Sequence, residues 1–575
     1  MAGQHFDSLT IHCVYYRSYH IRMTPCQRNG IDPPEADPFR TISLGKYGSF
    51  PSNLIIERPY HLTYEVQDKR DGESFARLRV VPAAEINADS LADTSADAGA
   101  DNADGDLVIV PEDGEELTLV DERGQVVARS NREIVDDPAR QMLTSDEILE
   151  LKRKGASAGK ELIAKLLLSH TGIEQKTAYS LAKYKLLKTK KYIRRFTVLP
   201  LDVYLLSQWL LEDREASKIL ELRHESIALI GCWADVHFGG SPIEGETNPH
   251  GGRWLVADDT GGLLVAAMAE RMGILYQQDT KEIHEHESLE AAKDDGTQGD
   301  AQTREGSKRQ KTTHKRLYRD DLESPYALTN TITLLHGYSQ PNLSVLRYFD
   351  YDSNDPNPSY PYHPLVTNLL PVSWLQLLQP EDDPIYAEQP PEVAPEVLAS
   401  WKTSRRGNYH RKRRRWARVN HVVKATQAGG FTGLAVASTM DPISVLRHAL
   451  PLLIGGAPIA IYSPSVEPLS QLADCFSVGR RAAWVSNPPP EAEGKSLAEL
   501  ETWAGSADFP INPTLVLGVS VHTSRAKRWQ VLPGRTHPLM TSRGGAEGYV
   551  FTAWRAVPVQ GRVAARGKFG KRRTE

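Results

Sequence analysis

One short stretch of this sequence has the residue order of a nucleotide-binding turn. Residues 255–273 read LVADDTGGLLVAAMAERMG: an apolar run ends in Asp258, a glycine pair follows, and a helix-forming segment comes next. Such a turn needs a strand that delivers the backbone, glycines that approach the ligand, and a helix whose first N–H groups face that ligand. The spacing predicts a strand over 254–257, a helix over 263–271 and a helix C-cap at Gly273.

This turn is poor in the glycines that would let a ligand come close. The residues that form it are Asp258, Thr260, Gly261, Gly262 and Leu264. Leu264 places a branched side chain where the backbone should meet the ligand. Two interpretations follow: a cofactor site that has decayed, or a strand–turn–helix that only packs.

Two basic clusters have the composition of nucleic-acid contacts. The first is interleaved with tyrosines and comprises Lys183, Lys185, Lys188, Lys190, Lys191, Arg194 and Arg195. The second comprises Arg405, Arg406, Arg411, Lys412, Arg413, Arg414 and Arg415. Cations neutralise phosphates and release counterions, and aromatic rings stack on splayed bases. The alternatives are a solvated basic helix for the first cluster, and a nuclear localisation signal or an unstructured charged linker for the second.

Composition limits the class of protein. The chain has 575 residues, 40% of them hydrophobic, with a formal net charge of −5, so it can form more than one core and is not basic as a whole. No apolar run approaches the ~20 residues of a membrane span, and no secretory signal is evident, so we expect no membrane association. The sequence also predicts no metal site, and His284 and His286 lie in a polar stretch. Free thiols in a reducing compartment are expected at the cysteines, which lack metal-ligand spacing: Cys13, Cys26, Cys232 and Cys475.

Hydrophobic periodicity predicts an α/β protein with two folded parts. Short apolar runs separated by turn residues predict a β-barrel-like domain at 41–135. Residues 136–222 predict a helical basic connector, in which Thr144 and Glu147 match a capping box. From 223 to 560, apolar runs alternate with helix-sized segments, which predicts a Rossmann-like parallel sheet. The strand-length runs are IALIG, RWLVAD, GILYQQ, TITLLHG, GLAVAS, PIAIYS and TLVLGVSVH.

Polar segments interrupt or flank these domains. The stretch 83–106 is acidic and built of small residues, which predicts a disordered insertion. Further disordered insertions are predicted near 281–320 and 379–424. Residues 561–575 form a basic tail, and residues 1–40 an N-terminal extension.

Several blocks of the sequence resemble one known family. The blocks are 41–65, beginning TISLGKYG; 131–167, beginning NREIVDDP; 176–196, beginning KTAYSLAK; 363–378, HPLVTNLLPVSWLQLL; and 528–540, RWQVLPGRTHPLM. Together with the glycine turn they resemble the non-catalytic subunit of the eukaryotic tRNA (adenine-58-N1)-methyltransferase, in the family's order and over most of the folded sequence. Residues 1–40 do not resemble the family's first barrel strands, which makes that extension atypical.

The resemblance implies a subunit without chemistry of its own. It implies an N-terminal β-barrel, a methyltransferase-like domain with a degenerate cofactor site, and no catalytic residue. It also implies a catalytic sister subunit that binds S-adenosylmethionine, and a heterotetramer of two copies of each subunit. In that complex this subunit helps to hold the tRNA and binds no cofactor itself. A pre-tRNA substrate predicts a location in the nucleus.

Two departures from the catalytic relatives support that implication. S-adenosylmethionine-dependent methyltransferases usually have glycines at every second position after the acidic residue, whereas those positions here hold Thr260, Gly262 and Leu264. The catalytic relatives also have an Asp after a late strand, followed by Leu-Pro and a second Pro. Matching Pro442 to that second Pro puts Ser438 at the Asp position, and a serine hydroxyl has no useful basicity near neutral pH.

Other polar residues near these motifs have weaker assignments. Asp441 comes three residues too late for the catalytic position, and with Pro442 it predicts a helix N-terminus. Asp279 follows ILYQQ and matches either an acid that holds a cofactor ribose or an ordinary loop residue. Arg535 and His537 lie in a segment that predicts either an ordered loop or a contact to RNA or a partner. Two other functions stay open: an active methyltransferase and a stand-alone RNA-binding protein.

Overall fold

The chain divides into two compact units. The first comprises Met1–Leu205 and Lys527–Thr541, and the second comprises Leu206–Ala526 and Ser542–Glu575. The chain therefore leaves the first unit, returns to it for a short segment, and ends in the second. The computed structural model describes residues 11–15, 41–44, 49–55, 58–67, 73–85, 108–112, 116–120, 126–128, 143–144, 147, 158–169, 184–185, 188, 193–238, 251–276, 330–354, 363–526, 529–532, 535–538 and 547–557.

Antiparallel strands form the sheets of the first unit. The strands up to residue 200 are β1 (Ile11–Tyr15), β2 (Thr41–Ser43), β3 (Ser49–Pro51), β4 (Thr63–Gln67), β5 (Arg77–Val81), β6 (Val108–Glu112), β7 (Glu116–Val120), β8 (Val126–Ala128) and β9 (Arg195–Pro200). One sheet has the order β1-β9-β4-β5, another the order β6-β7-β8, and β2 pairs with β3. Because β1 belongs to the four-stranded sheet, part of the atypical extension contributes to this fold. The closure of these strands into a barrel stays a prediction.

Alternating side chains explain the four-stranded sheet. In β4, Tyr64 and Val66 are buried while the residues on either side of them are only partly covered, as the two-residue period of a strand requires. Phe196 of β9 stacks on Phe50 and Tyr64, with ring centroids 5.3 and 5.5 Å apart. These aromatic rings form the centre of the core of the first unit.

The predicted connector is helical only in part. It contains α1 (Ala158–Leu168), and α2 (Val203–Asp213) spans the division between the two units. The capping box is confirmed: the N–H of Glu147 donates to Thr144 Oγ1 at 3.3 Å, and the N–H of Thr144 donates to Glu147 Oε2 at 2.8 Å. The prediction of helix is wrong at Arg195–Pro200, because RFTVLP has the two-residue period and β-branched content of a strand.

A seven-stranded sheet organises the second unit. The strands after residue 205 are β10 (Arg253–Asp258), β11 (Thr331–His336), β12 (Leu369–Ser373), β13 (Gly433–Ala437), β14 (Pro458–Ser463), β15 (Val516–His522), β16 (Trp529–Leu532), β17 (Arg535–Pro538) and β18 (Tyr549–Arg555). The sheet order is β12-β11-β10-β13-β14-β18-β15, and β18 runs antiparallel to both of its neighbours. The strands β16 and β17 form a hairpin that belongs to the first unit.

The strand order confirms the predicted Rossmann-like sheet. The chain builds outward from β10 through β11 to β12, then crosses back to β13 on the other side of β10. This reversal creates a crevice at the carboxyl ends of β10 and β13, where open α/β sheets bind ligands. Every residue of β11 and β13 is buried, as expected for parallel strands covered on both faces.

Helices cover the sheet on both faces. The α-helices of this unit after α2 are α3 (His224–Trp233), α4 (Leu263–Met272), α5 (Leu365–Asn368), α6 (Trp374–Leu378), α7 (Pro384–Ala387), α8 (Pro395–Ser400), α9 (Thr403–Gln427), α10 (Pro442–Ala449), α11 (Glu467–Cys475), α12 (Val478–Ser486) and α13 (Leu497–Glu501). Short 3-10 helices lie at Ser52–Leu54, Ala216–Ile219, Ser344–Phe349, Pro380–Asp382, Leu450–Leu452 and Pro490–Ala492. One continuous core joins sheet residues such as Leu255 and Phe551 to Val423 of α9, Leu446 of α10 and Leu472 of α11.

Three predictions for this unit are wrong. The run IALIG lies in α3, since a short apolar run cannot be told from a buried helix by periodicity alone. The described part of GILYQQ, residues 273–276, forms no strand, and β11 is the second strand of the sheet. The stretch predicted as disordered near 379–424 contains α7, α8 and most of α9, because buried side chains among the cations dock α9 onto the domain.

Candidate functional site

The predicted strand–turn–helix at the start of the sheet is confirmed. β10 ends at Asp258, α4 follows, and the turn between them holds Gly261 and Gly262 at φ angles of 74° and 91°. Glycine reaches a positive φ at no steric cost, so these two residues permit the turn. Gly273 follows α4 at a φ of 75° and forms the predicted C-cap.

Asp258 caps α4 from inside the protein. Its Oδ1 accepts hydrogen bonds from the N–H and the hydroxyl of Thr260 at 2.7 and 2.5 Å, and its Oδ2 accepts one from the N–H of Val265 at 3.0 Å. Thr260 Oγ1 in turn accepts the N–H of Leu264 at 3.1 Å. A helix N-terminus binds an anion through its free N–H groups. The N–H groups of Leu264 and Val265 are already taken by these two side chains.

The chain's own loop fills the space beside the glycines. The 3-10 helix Ser344–Phe349 follows β11, and its Val345 N–H donates to Gly261 O at 3.0 Å. A Cβ placed on Gly262 would come within 3.2 Å of the side chain of Leu343. The close approach that glycine permits is therefore used to pack this loop against the turn.

Asp259 joins the carboxyl ends of β10 and β13. Its Oδ2 accepts hydrogen bonds from the hydroxyl of Ser438 at 2.6 Å, and from the N–H and hydroxyl of Thr439 at 3.0 and 3.2 Å. The Ser438 hydroxyl also accepts the N–H of Met440 at 3.1 Å. The carboxylate therefore bridges the crevice at the switch point. Asp259 was not predicted as a site residue, although a second acid directly after a strand-end acid is a signal for it.

Burial dominates the electrostatics of this crevice. It raises the pKa of Asp258, against the hydrogen bonds from Thr260 and Val265 that lower that pKa. Burial also lowers the pKa of His336 at the end of β11, against the bond to the Tyr338 carbonyl, which raises it. The imidazole is therefore neutral near pH 7, and its Nδ1 donates to the Tyr338 carbonyl at 2.8 Å.

The acidic residues with weaker assignments fall outside this arrangement. Asp441 accepts the N–H of Ser444 at 2.9 Å, with Pro442 in the first turn of α10, so the predicted helix N-terminus is confirmed. Asp279 lies outside the described residues. An acid that follows the second strand would come after β11, where residues 337–340 read GYSQ.

The first basic cluster is only partly described. Lys185 and Lys188 are half-buried, and the Lys188 ammonium lies 4.7 Å from the centre of the Tyr184 ring. Arg194 is also half-buried, and its carbonyl accepts the N–H of Val66 in β4 at 2.8 Å. The remaining lysines of the cluster lie outside the described residues: Lys183, Lys190 and Lys191.

Arg195 belongs to the sheet of the first unit. Its side chain is only 7% exposed, and it forms ion pairs with Glu65 at 2.8 Å and Glu85 at 3.0 Å. Arg79 pairs with the same two carboxylates. The guanidinium of Arg195 is therefore occupied inside the protein, and this geometry gives no support to the predicted RNA contact of Arg195.

The second basic cluster lies on α9. The exposed cations are Arg405, Arg411, Lys412 and Arg415, and the half-buried ones are Arg406, Arg413 and Arg414. Arg413 pairs with Glu392 at 2.6 Å, Arg414 donates to the His410 carbonyl at 3.2 Å, and Arg405 lies over the Trp401 ring. The cluster therefore divides into cations that bind the protein itself and cations that face outward.

The remaining sequence features have structural assignments. Arg535 and His537 lie in β17 of the hairpin, so their segment is not a loop. Cys232 and Cys475 are free thiols, as predicted. Within the described ranges, no group of His, Cys, Asp and Glu side chains could hold a metal ion. No helix in that part of the chain is long and apolar enough to cross a membrane.

Comparison with known proteins gives consistent matches. A family model described as the Gcd10p family matches residues 29–402. The chain is 45% identical over 552 residues to the tRNA (adenine(58)-N(1))-methyltransferase non-catalytic subunit trm6 of Aspergillus oryzae, covering 93% of this chain and 91% of that protein. It is 25% identical to the trm6 subunit of Schizosaccharomyces pombe, over 93% of this chain and 90% of that protein. The TRM6 subunit of Mus musculus is 26% identical to this chain, over 74% of this chain and 74% of that protein.

The likeness to solved structures is much weaker. The tRNA (m1A58) methyltransferase TrmI from Aquifex aeolicus is 10% identical in sequence to this chain. The superposition covers 63% of this chain and 78% of that one, with a TM-score of 0.28. A TM-score this low supports no conclusion.

Proposed function

This chain belongs to the Gcd10p family, and from that premise we propose that it is the non-catalytic, tRNA-binding and scaffolding subunit of a tRNA (adenine-58-N1)-methyltransferase. Its sister subunit would bind S-adenosylmethionine and carry out the methyl transfer. The two subunits would form a heterotetramer with two copies of each. The strands of the first unit would close into a barrel in that assembly.

The observation that carries the non-catalytic role is the loop packed against the glycine turn before α4. S-adenosylmethionine needs room beside the glycine turn, where small residues let the backbone approach the ligand closely. Here the side chains of Asp258 and Thr260 occupy the N–H groups of Val265 and Leu264. The loop that contains Leu343 occupies the space beside the glycines. These residues do not fit the cofactor, and we assign none to this chain.

The isolated chain should not bind S-adenosylmethionine measurably, because binding would require expelling the loop from the space beside the glycines. Isothermal titration calorimetry checks this, with the catalytic subunit as the positive control. Micromolar binding by this chain alone would instead favour an active methyltransferase. Association with tRNA but with no methyltransferase subunit would favour a stand-alone RNA-binding protein.

Two basic regions support a role in holding tRNA. We propose that cations of the first cluster contact the RNA, namely Lys183, Lys185, Lys188, Lys190, Lys191 and Arg194. We propose the same for the cations of the second cluster other than Arg413, which pairs with Glu392. Both regions supply cations that neutralise phosphates, and binding should weaken as salt rises. Filter-binding assays of the complex with a tRNA transcript over a salt series test this, and a salt-independent affinity would contradict it.

We also propose that the complex acts in the nucleus. The second basic cluster has the composition of an import signal, but it lies on a folded helix. The basic tail at 561–575 is a second source of such a signal. Fluorescence microscopy of the tagged chain should show nuclear accumulation, which should persist when Arg411, Lys412 and Arg415 are changed to Gln. A cytoplasmic wild-type chain would contradict the nuclear location.

A further inference from the structure

One face of α9 carries a row of exposed polar and positive side chains. Ser404, Asn408, Arg411 and Arg415 follow the spacing of a single helix face, and Lys412 lies beside them. All five are exposed, and we refer to them as the α9 ridge. The helix contains no acidic residue. Among the described residues, none of the three ridge cations pairs with a carboxylate.

Repulsion between the charges of the ridge destabilises the helix that carries them. Arg411 and Arg415 are like charges four residues apart, which repel each other on a helix surface. A bound polyanion would relieve this repulsion.

The opposite face fixes the N-terminal half of α9 to the domain. The hydroxyl of Tyr409 donates to the Pro391 carbonyl at 3.1 Å and accepts the N–H of Val393 at 3.2 Å. The indole N–H of Trp416 donates to the Tyr386 carbonyl at 3.0 Å. These bonds leave the ridge facing outward.

The C-terminal end of α9 is fixed by Arg253 at the start of β10. Its guanidinium donates to the carbonyls of Gly429 at 2.8 Å and Ala425 at 3.0 Å. It also lies over the ring of Phe431, 4.6 Å from the ring centre. Cations at a helix C-terminus satisfy its last carbonyls and favour its dipole. The ridge is therefore presented on a helix that is held at both ends.

We propose that the α9 ridge binds the phosphate backbone of a double-helical arm of the tRNA, an inference that rests on the proposed function. From residue 404 to 415 the ridge spans about 16 Å at the rise of an α-helix, which is enough for several consecutive phosphates of one strand. Arginine, lysine, serine and asparagine all donate to phosphate oxygens. The ridge has no apolar side chain for a protein interface and no aromatic ring for stacking on unpaired bases. These properties favour a regular RNA backbone over an acidic protein.

The test changes the ridge cations in the complex with the catalytic subunit. The variant Arg411→Gln, Lys412→Gln, Arg415→Gln should bind a tRNA transcript about tenfold or more weakly at low salt, and its log–log salt dependence should flatten by nearly three units, at about 0.9 units for each lost phosphate contact. The melting temperature should stay the same or rise, because repulsion is removed. Arg411→Lys with Arg415→Lys keeps the charge and should retain most of the affinity.

A matched control removes the same charge elsewhere on the second unit. Lys218→Gln, Arg347→Gln, Lys495→Gln changes three cations that lie off α9 and should leave tRNA affinity within about twofold. Equal weakening by the ridge and control variants, or an unchanged affinity and salt slope for the ridge variant, would overturn the proposal. If the wild-type chain binds tRNA but not the catalytic subunit, the proposed function fails. Comparing the ridge and control variants of the isolated chain then still shows whether the ridge binds tRNA.

Discussion

A methylation reaction that lacks this chain should run at least about a hundredfold more slowly than one with the full complex. A hundredfold change corresponds to about 2.7 kcal/mol of lost transition-state stabilisation. Hydrogen bonds to charged groups contribute about 1.5–3 kcal/mol each, so the loss of two tRNA contacts made by this chain accounts for it. Initial rates of methyl incorporation into a tRNA transcript, at sub-saturating RNA, measure the effect.

The control for that experiment alters the chain without removing it. Ser438 is the residue that the sequence match at Pro442 pairs with a catalytic Asp; its hydroxyl donates to Asp259 and accepts the N–H of Met440. Ser438→Ala in the complex should therefore leave the rate within about twofold, since the change removes only these internal bonds; the bond to the Asp259 carboxylate contributes about 1.5–3 kcal/mol to stability and the bond from Met440 about 1 kcal/mol. A hundredfold loss of rate by this variant, with the complex intact and tRNA binding normal, would assign chemistry to this chain.

Replacing Asp258 by Ala should lower the free energy of unfolding of the chain by about 3 kcal/mol. The reason is that a buried acceptor of three hydrogen bonds is lost, and water cannot reach the N–H groups of Thr260 and Val265 to replace it. Those groups would remain buried without an acceptor, and α4 would lose its cap. Denaturant titration of the complex, followed by circular dichroism, measures the change.

Asp441→Ala is the matched comparison for that variant. Asp441 also caps a helix, but it is exposed and accepts the N–H of Ser444. Its loss should cost about 1 kcal/mol, as for an ordinary N-cap. If Asp258→Ala costs no more than Asp441→Ala, the internal cap contributes little to the stability of this turn.

Local signals in the sequence were sufficient for the strand–turn–helix. The apolar run before Asp258, the glycine pair and Gly273 each mark a boundary that depends on backbone geometry within a few residues. The same holds for Asp441 and Pro442 at the start of α10. In each case the residues that set the boundary lie in the same short segment as the boundary itself.

Long-range contacts determine the structure of the segments for which the prediction from sequence is wrong. α9 is polar enough to suggest disorder, yet Tyr409, Val423 and the cap from Arg253 fix it to segments far away in sequence. Strand β9 lies in the segment predicted as helical, and its pairing with β1 and β4 joins residues more than a hundred positions apart. The bridge from Asp259 to Ser438 spans 179 positions, so no local pattern could indicate the partner of Asp259.

The attachment of α9 has a consequence for how RNA is oriented. Positive charge on an unstructured tail adds affinity for RNA but does not fix the orientation of the bound strand. Strand β10 begins at Arg253, which holds the end of α9, and ends at Asp258, which holds the start of α4. One central strand is therefore attached both to the helix that carries the ridge and to the helix that begins at the crevice. RNA bound along the ridge would have a fixed direction relative to the sheet, so under the proposed function this chain would orient the tRNA as well as hold it.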